Sequence, residues 1–191
     1  MKIVMKEMAK YSYIYGVLIM WVCCTGSYAQ WKPAGNRIIT EWAAQVDVSN
    51  VLPEYPRPLM ERTEWVNLNG LWQYAILPSG KAMPKTYDGE ILVPFAVESA
   101  LSGVGKELGE NNELWYRRAF SVPSRWKGQR VLLNFGAVDW KTTVWVNGTK
   151  LGEHCGGFTP FAFDITQALQ KGDNEVVVRV WDPTDKGKQK D

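Results

Sequence analysis

Residues 131–148 read VLLNFGAVDWKTTVWVNG, and their alternation decides the fold. Val131, Leu133 and Phe135 alternate with Leu132 and Asn134, and Thr142, Val144 and Val146 form the next apolar face. A period of two is the mark of a half-buried strand, because successive side chains point to opposite faces. Asn147-Gly148 supplies the pair of positive-φ residues that a two-residue hairpin turn requires. The stretch is therefore read as two strands, the second turning directly into a third.

The same pattern extends in both directions. Upstream, Trp72, Tyr74 and Ile76 alternate with Gln73 and Ala75, Glu90 to Val93 is a short strand closed by Pro94, and Leu114, Tyr116, Arg118 and Phe120 alternate with Trp115, Arg117 and Ala119. Downstream, Thr149 to Glu153 leads into Gly156-Gly157, where the chain can bend without a Cβ penalty. Phe158, Phe161 and Phe163 follow. Asp164 then stands where it can cap a short turn through Ala168, with Gly172 past its end. Asn174 to Trp181 is the last strand, with Val176, Val178 and Val180 on one face. Eight or so short strands with frequent turn signals and almost no long helical stretch predict an all-β sandwich or barrel.

The flanks differ from this body. Lys2, Lys6 and Lys10, the apolar stretch from Ile14 to Cys24, and the small residues of Ser27-Tyr28-Ala29 read as a signal peptide over residues 1–29. The apolar stretch is about half the roughly 20 residues that span a bilayer, which favours export with cleavage over a membrane anchor. Cys23 and Cys24 raise a lipoprotein alternative, but Met20, Trp21 and Val22 stand where small residues are expected. Residues 30–62, broken by Pro33, Pro53, Pro56 and Pro58, are expected to form an extended arm with a turn of helix within Ile38 to Val48. The sandwich then occupies 63–185, and the wholly polar 186–191 is expected to be a disordered tail.

Charge and rare residues narrow the function. With 22 Lys+Arg against 20 Asp+Glu, and three of those lysines in the leader, the exported chain is nearly neutral. No pull toward nucleic acid or an anionic membrane is implied. His154 is the one histidine, which excludes a multi-histidine metal site and a His-based triad. Cys155 is read as a small buried residue, since neighbours on a strand point to opposite faces and His154-Cys155 cannot then act as a pair. No zinc-ligand spacing, phosphate-binding glycine motif or other cofactor signature is present, and no cofactor is expected.

Several residues suggest sugar contact. Asp139-Trp140 sits at a turn between strands, where an aromatic face and a carboxylate can meet a sugar. Of Arg117 and Arg118, one faces inward and needs a buried partner, for which Asp139 or Asp182 is available. Trp115 and Trp140 are binding candidates if exposed, whereas Trp145 and Trp181, inside strands, are read as core. Glu107, Glu110 and Glu113 cluster upstream of Trp115, and the polar, glycine-rich run from Gly105 to Asn112 is read as a solvated loop. Asn147-Gly148-Thr149 matches a glycosylation sequon, but the hairpin turn suffices to explain it.

Four ordered blocks carry a family resemblance. They are Leu114-Trp-Tyr-Arg-Arg-Ala-Phe120, the run from Val131 to Asn147, Gly152-Glu-His-Cys-Gly-Gly-Phe-Thr-Pro-Phe161, and Asp164-Ile-Thr166. Over roughly Glu61 to Asp185 the chain resembles the N-terminal sugar-binding domain of family 2 glycoside hydrolases, the group of β-galactosidases, β-glucuronidases and β-mannosidases. The resemblance implies a galactose-binding-domain-like jelly roll, followed in the family by an immunoglobulin-like domain and a catalytic barrel that holds the two glutamates of a retaining mechanism. This chain reaches only Asp191, so it is expected to be a non-catalytic, truncated part of an exported β-glycosidase, with no catalytic residue of its own. Asp182 and Asp185 precede the loop that in the family reaches toward the active site. Trp115, Arg117, Asp139, Trp140, Asp182 and Asp185 are accordingly the candidate contacts to a β-linked carbohydrate. A free-standing sugar-binding module and a structural docking domain are the alternatives.

Overall fold

The computed structural model describes residues 31–35 and 37–183. The expected leader over 1–29 and the expected tail over 186–191, with Thr184 and the candidate Asp185, lie outside the described residues. Within them eight strands form: β1 (Gly70–Pro78), β2 (Gly89–Val93), β3 (Asn112–Ser121), β4 (Leu132–Phe135), β5 (Lys141–Val146), β6 (Thr149–Cys155), β7 (Phe161–Asp164) and β8 (Asp173–Trp181). The only helical elements among the described residues are short 3-10 turns, one of them at Glu41–Gln45 in the proline-rich arm. None is long and apolar enough to cross a membrane.

Six strands make one sheet in the order β2-β1-β3-β8-β5-β6, and β4 pairs with β7 in a second. Every pairing is antiparallel. The fold is the expected all-β jelly-roll sandwich. Alternation sets its core: Trp72 and Tyr74 of β1, Leu114 of β3, Val144 and Val146 of β5, and Val176, Val178 and Val180 of β8 pack with Leu133 of β4. Phe161 and Phe163 of β7 close the other side, and a Cβ on Gly152 would stand 2.7 Å from the Phe163 ring, so β6 and β7 approach closely only because Gly152 has none.

Asn147-Gly148 turns the β5–β6 hairpin with φ of +49° and +78°. The Asn147 amide nitrogen Nδ2 donates to the Ala168 carbonyl at 2.8 Å and to Asn174 Oδ1 at 2.7 Å, while its Oδ1 accepts from the Glu175 amide at 2.9 Å. An amide engaged on all sides is part of the fold, in keeping with the turn reading of the sequon. The arm is tied down by backbone groups: Ala34 donates to Ala100 at 2.8 Å, Arg37 bonds the Gly105 carbonyl at 2.9 Å, and Asn67 reaches the carbonyl of the buried Val51.

Three expectations are corrected. Arg118 is the inward arginine, but its partners are the carbonyls of Asn69 (3.1 Å) and Leu71 (3.3 Å), not Asp139 or Asp182. A guanidinium is a fork of donors and can be satisfied by carbonyl oxygens alone. Cys155 is exposed, because it ends β6 at the sheet's edge, where no further strand covers it. Trp145 and Trp181 are half-buried on the outer face of the six-stranded sheet and lie outside the main core. Their register shows why: Trp145 faces Val177 and Trp181 faces Lys141, on the opposite side from Val144, Val146 and Val180.

Candidate carbohydrate-contacting site

The candidate residues fall into two groups on different parts of the sandwich. The first forms where β5 begins and β8 ends. The β5–β8 ladder sets Lys141 opposite Trp181, so Trp140 and Asp182 emerge side by side, and the Trp140 amide meets the Trp181 carbonyl at 3.4 Å. The turn between β6 and β7 folds against them: Gly156 donates to the Trp140 carbonyl at 3.1 Å, and Gly157 sits directly on Asp139. A Cβ on Gly157 would lie 2.5 Å from Asp139 Oδ1, so the close approach requires glycine.

Asp139 and Trp140 before β5 and Asp182 after β8 are thus brought together, with the Gly156-Gly157 turn packed against them. Burial, with the negative charge of Asp182 added, pushes the Asp139 carboxyl above the usual aspartate range. Two carboxylates beside a half-exposed indole can accept hydroxyl protons while the ring covers an apolar sugar face. Phe158, which follows the Gly156-Gly157 bend in sequence, is 91% exposed at the tip of the same turn. The preceding glycine pair was the available sign that it leaves the strand pattern. His154 lies under this turn, stacked on Phe161 at 4.1 Å and 3.3 Å from the Thr159 hydroxyl.

The second group lies on the outer face of the large sheet. Trp115 is only 2% exposed, stacked on Trp145 at 5.6 Å and covered by the Arg179 guanidinium at 5.7 Å. A ring so enclosed presents no face to a sugar. Arg117 is tied to Glu175 at 2.6 Å and lies over the Tyr87 ring at 5.4 Å. The bracing ion pair anticipated for an arginine of this pair is therefore present, but on the outer face and with a different acid.

Glu113 is the second residue of β3 and is buried. Its Oε2 has no hydrogen-bond partner, and Oε1 lies 3.7 Å from Arg179. Among the described residues no group of three or more His, Cys, Asp or Glu is placed to hold a metal ion.

Comparison with known proteins agrees with the strand blocks. Residues 103–190 match the family model described as glycosyl hydrolases family 2, sugar binding domain. A β-glucuronidase of Paenibacillus borealis is 29% identical over 133 residues, which is 66% of this chain and 22% of that protein. A β-galactosidase of Thermoanaerobacter pseudethanolicus is 46% identical over 66 residues, 35% of this chain and 9% of its own length. Among solved structures, the β-glucuronidase of Lactobacillus rhamnosus superposes with a TM-score of 0.54 at 33% identity, over 67% of this chain and 22% of that one. The chain spans about a fifth of the length of these two β-glucuronidases.

Proposed function

We propose that this family 2 sugar-binding domain is the non-catalytic N-terminal part of an exported β-glycosidase, and that the end of the sandwich carrying Asp139, Trp140, Asp182 and Phe158 adjoins the sugar site of the larger enzyme. The observation that carries the reading is the match of residues 103–190 to the sugar-binding domain, in relatives of which this chain covers about a fifth. The geometry supports it through the convergence of an indole, two carboxylates and an exposed phenyl ring at one end. Its partners are a β-linked carbohydrate and the immunoglobulin-like and barrel domains of such an enzyme. An exposed ring such as Phe158 costs little when covered by a neighbouring domain and offers apolar area for docking.

The purified chain should not hydrolyse nitrophenyl β-glucuronide or nitrophenyl β-galactoside. Turnover that Glu113→Gln abolishes would overturn the non-catalytic assignment. Grafting residues 31–183 in place of the corresponding domain of the Lactobacillus rhamnosus β-glucuronidase tests the placement of the site. Trp140→Ala in that graft should raise KM, and an unchanged KM in an active graft would remove Trp140 from the sugar's surroundings. Expression with the native N-terminus should yield a secreted chain beginning at Gln30.

A further inference from the structure

The turn between β6 and β7, Gly156 to Pro160, carries Phe158 out to solvent and lays Gly157 on Asp139. It opens on two consecutive glycines, the residues with the most backbone freedom to lose. Among the described residues two hydrogen bonds fasten it. The Gly156 amide donates to the Trp140 carbonyl at 3.1 Å, and the Thr159 hydroxyl pairs with His154 Nε2 at 3.3 Å.

His154 is itself fixed from beneath. Its ring stacks on Phe161 at 4.1 Å with 17° between the planes, and Phe161 stacks in turn on Phe135 of β4 at 4.8 Å. In the β5–β6 ladder His154 stands opposite the fully buried Thr142, so its ring lies on the inner side of the sheet. A Cβ on Gly156 would be 3.6 Å from Thr159 Oγ1 and 3.8 Å from His154 Nε2, so the pair closes directly over that glycine. A run of contacts thus leads from Phe135 through Phe161 and His154 to Gly156 and Trp140, and one residue on from Gly157 to Asp139. A phenyl ring in this place would stack without bonding, and an aliphatic amide would bond without stacking. The imidazole of the one histidine in the chain does both.

We infer that His154 is a positioning residue: it holds the Gly156–Pro160 turn so that Phe158 and the Asp139-Trp140 pair are arranged for a sugar before one binds. The inference rests on the reading that this end of the sandwich adjoins the sugar site. A turn with two free glycines would be ordered at the ligand's expense, and one fastened beforehand strengthens binding without touching the chemistry. The same fastening keeps water from Asp139, whose burial is the main cause of its raised carboxyl titration. Loosening the turn is therefore readable in the chain alone, with no sugar present.

Three variants test this. Thr159→Val removes the hydroxyl at an exposed position while keeping the side chain's shape, Thr159→Ser retains the hydroxyl, and His154→Phe keeps the stack and removes the nitrogen. Carbon-13 NMR of the carboxyl groups in the full chain should show Asp139 titrating closer to the ordinary 3.8 in Thr159→Val and His154→Phe, and as in the parent in Thr159→Ser. Asp164, at the far end of β7, should titrate as in the parent throughout. An Asp139 titration unchanged in both bond-breaking variants would overturn the role, as would failure of Thr159→Ser to preserve it. A shift of Asp164 alongside would mark general loosening and overturn it equally. In an active β-glucuronidase graft of residues 31–183, Thr159→Val should raise KM by about threefold or more with kcat unchanged. An unchanged KM, where Trp140→Ala raises it, also counts against the role. If Trp140→Ala leaves KM unchanged too, the sugar-site reading is what fails, and the Asp139 titration decides the positioning role by itself.

Discussion

Asp139 and Gly157, 18 positions apart in sequence, pack so closely that a β-carbon on the glycine would fall 2.5 Å from the aspartate Oδ1 and 3.0 Å from its Cβ. Neither the carboxylate nor the backbone under it can yield cheaply, because Trp140 is bonded to Gly156 on one side and to Trp181 on the other. Gly157→Ala should therefore destabilise the domain by about 1–3 kcal/mol, the usual cost of overpacking. Urea denaturation reads the loss. Adding Asp139→Ala should recover part of it, and strictly additive effects would show that the two side chains do not compete for the space.

The Asp139 carboxyl is raised above its ordinary 3.8 by burial and by the charge of Asp182. The folded state thus holds the proton more tightly than the unfolded chain, so the group costs nothing below the ordinary value. Its penalty grows as pH rises through the ordinary value toward the raised one and is complete above that. Asp139→Asn, which keeps the shape, should melt higher than the parent at pH 7 and equal to it below pH about 3. A variant that melts lower at pH 7 would mean that the Asp139 charge is held by attraction.

Asp164 runs the other way. The Thr166 hydroxyl, the Thr166 amide and Arg130 hold its carboxyl down to about 2. A depressed folded pKa contributes stability that is present above the ordinary 3.8 and is lost as pH falls through about 2. Asp164→Asn should flatten the acid limb of a melting-temperature profile between those values while retaining the cap on the following turn. A profile that keeps its slope would remove Asp164 from the acid response.

Asn147 joins the β5–β6 hairpin to β8 through Ala168, Asn174 and Glu175. Asn147→Gly preserves the positive φ and removes those bonds, at a cost of about 1–3 kcal/mol. Asn147→Ala also meets the left-handed backbone penalty and should be worse by about 1 kcal/mol. Chemical denaturation of both variants separates the two contributions, and equal losses would show that the turn's φ carries no weight.

The strands were legible because a strand's information is local. Two-residue alternation from Trp72 to Ile76, from Leu114 to Phe120 and along Val176, Val178 and Val180 states which side chains face the core, and Asn147-Gly148 states where the chain reverses. In the sequence Asp139 and Asp182 figure as possible partners of an arginine and as separate candidate sugar contacts, with no sign that they are neighbours. Asp182 stands beside Trp140, within electrostatic reach of Asp139, because β5 and β8 are neighbours, which alternation within either strand does not reveal.

By itself the sequence determined the class of fold, the phase of each strand and the family blocks, all of which follow from backbone geometry and period. Tertiary structure alone decided what lies on the far side of the large sheet. Trp115 is sealed there under Trp145 and Arg179, Trp181 borders a cleft, Glu113 is buried beside it, and Cys155 is left bare at an edge. Alternation tells inward from outward, but the cover over an outward residue comes from strands and loops distant in sequence, so burial of that face is a property of the assembled sheet.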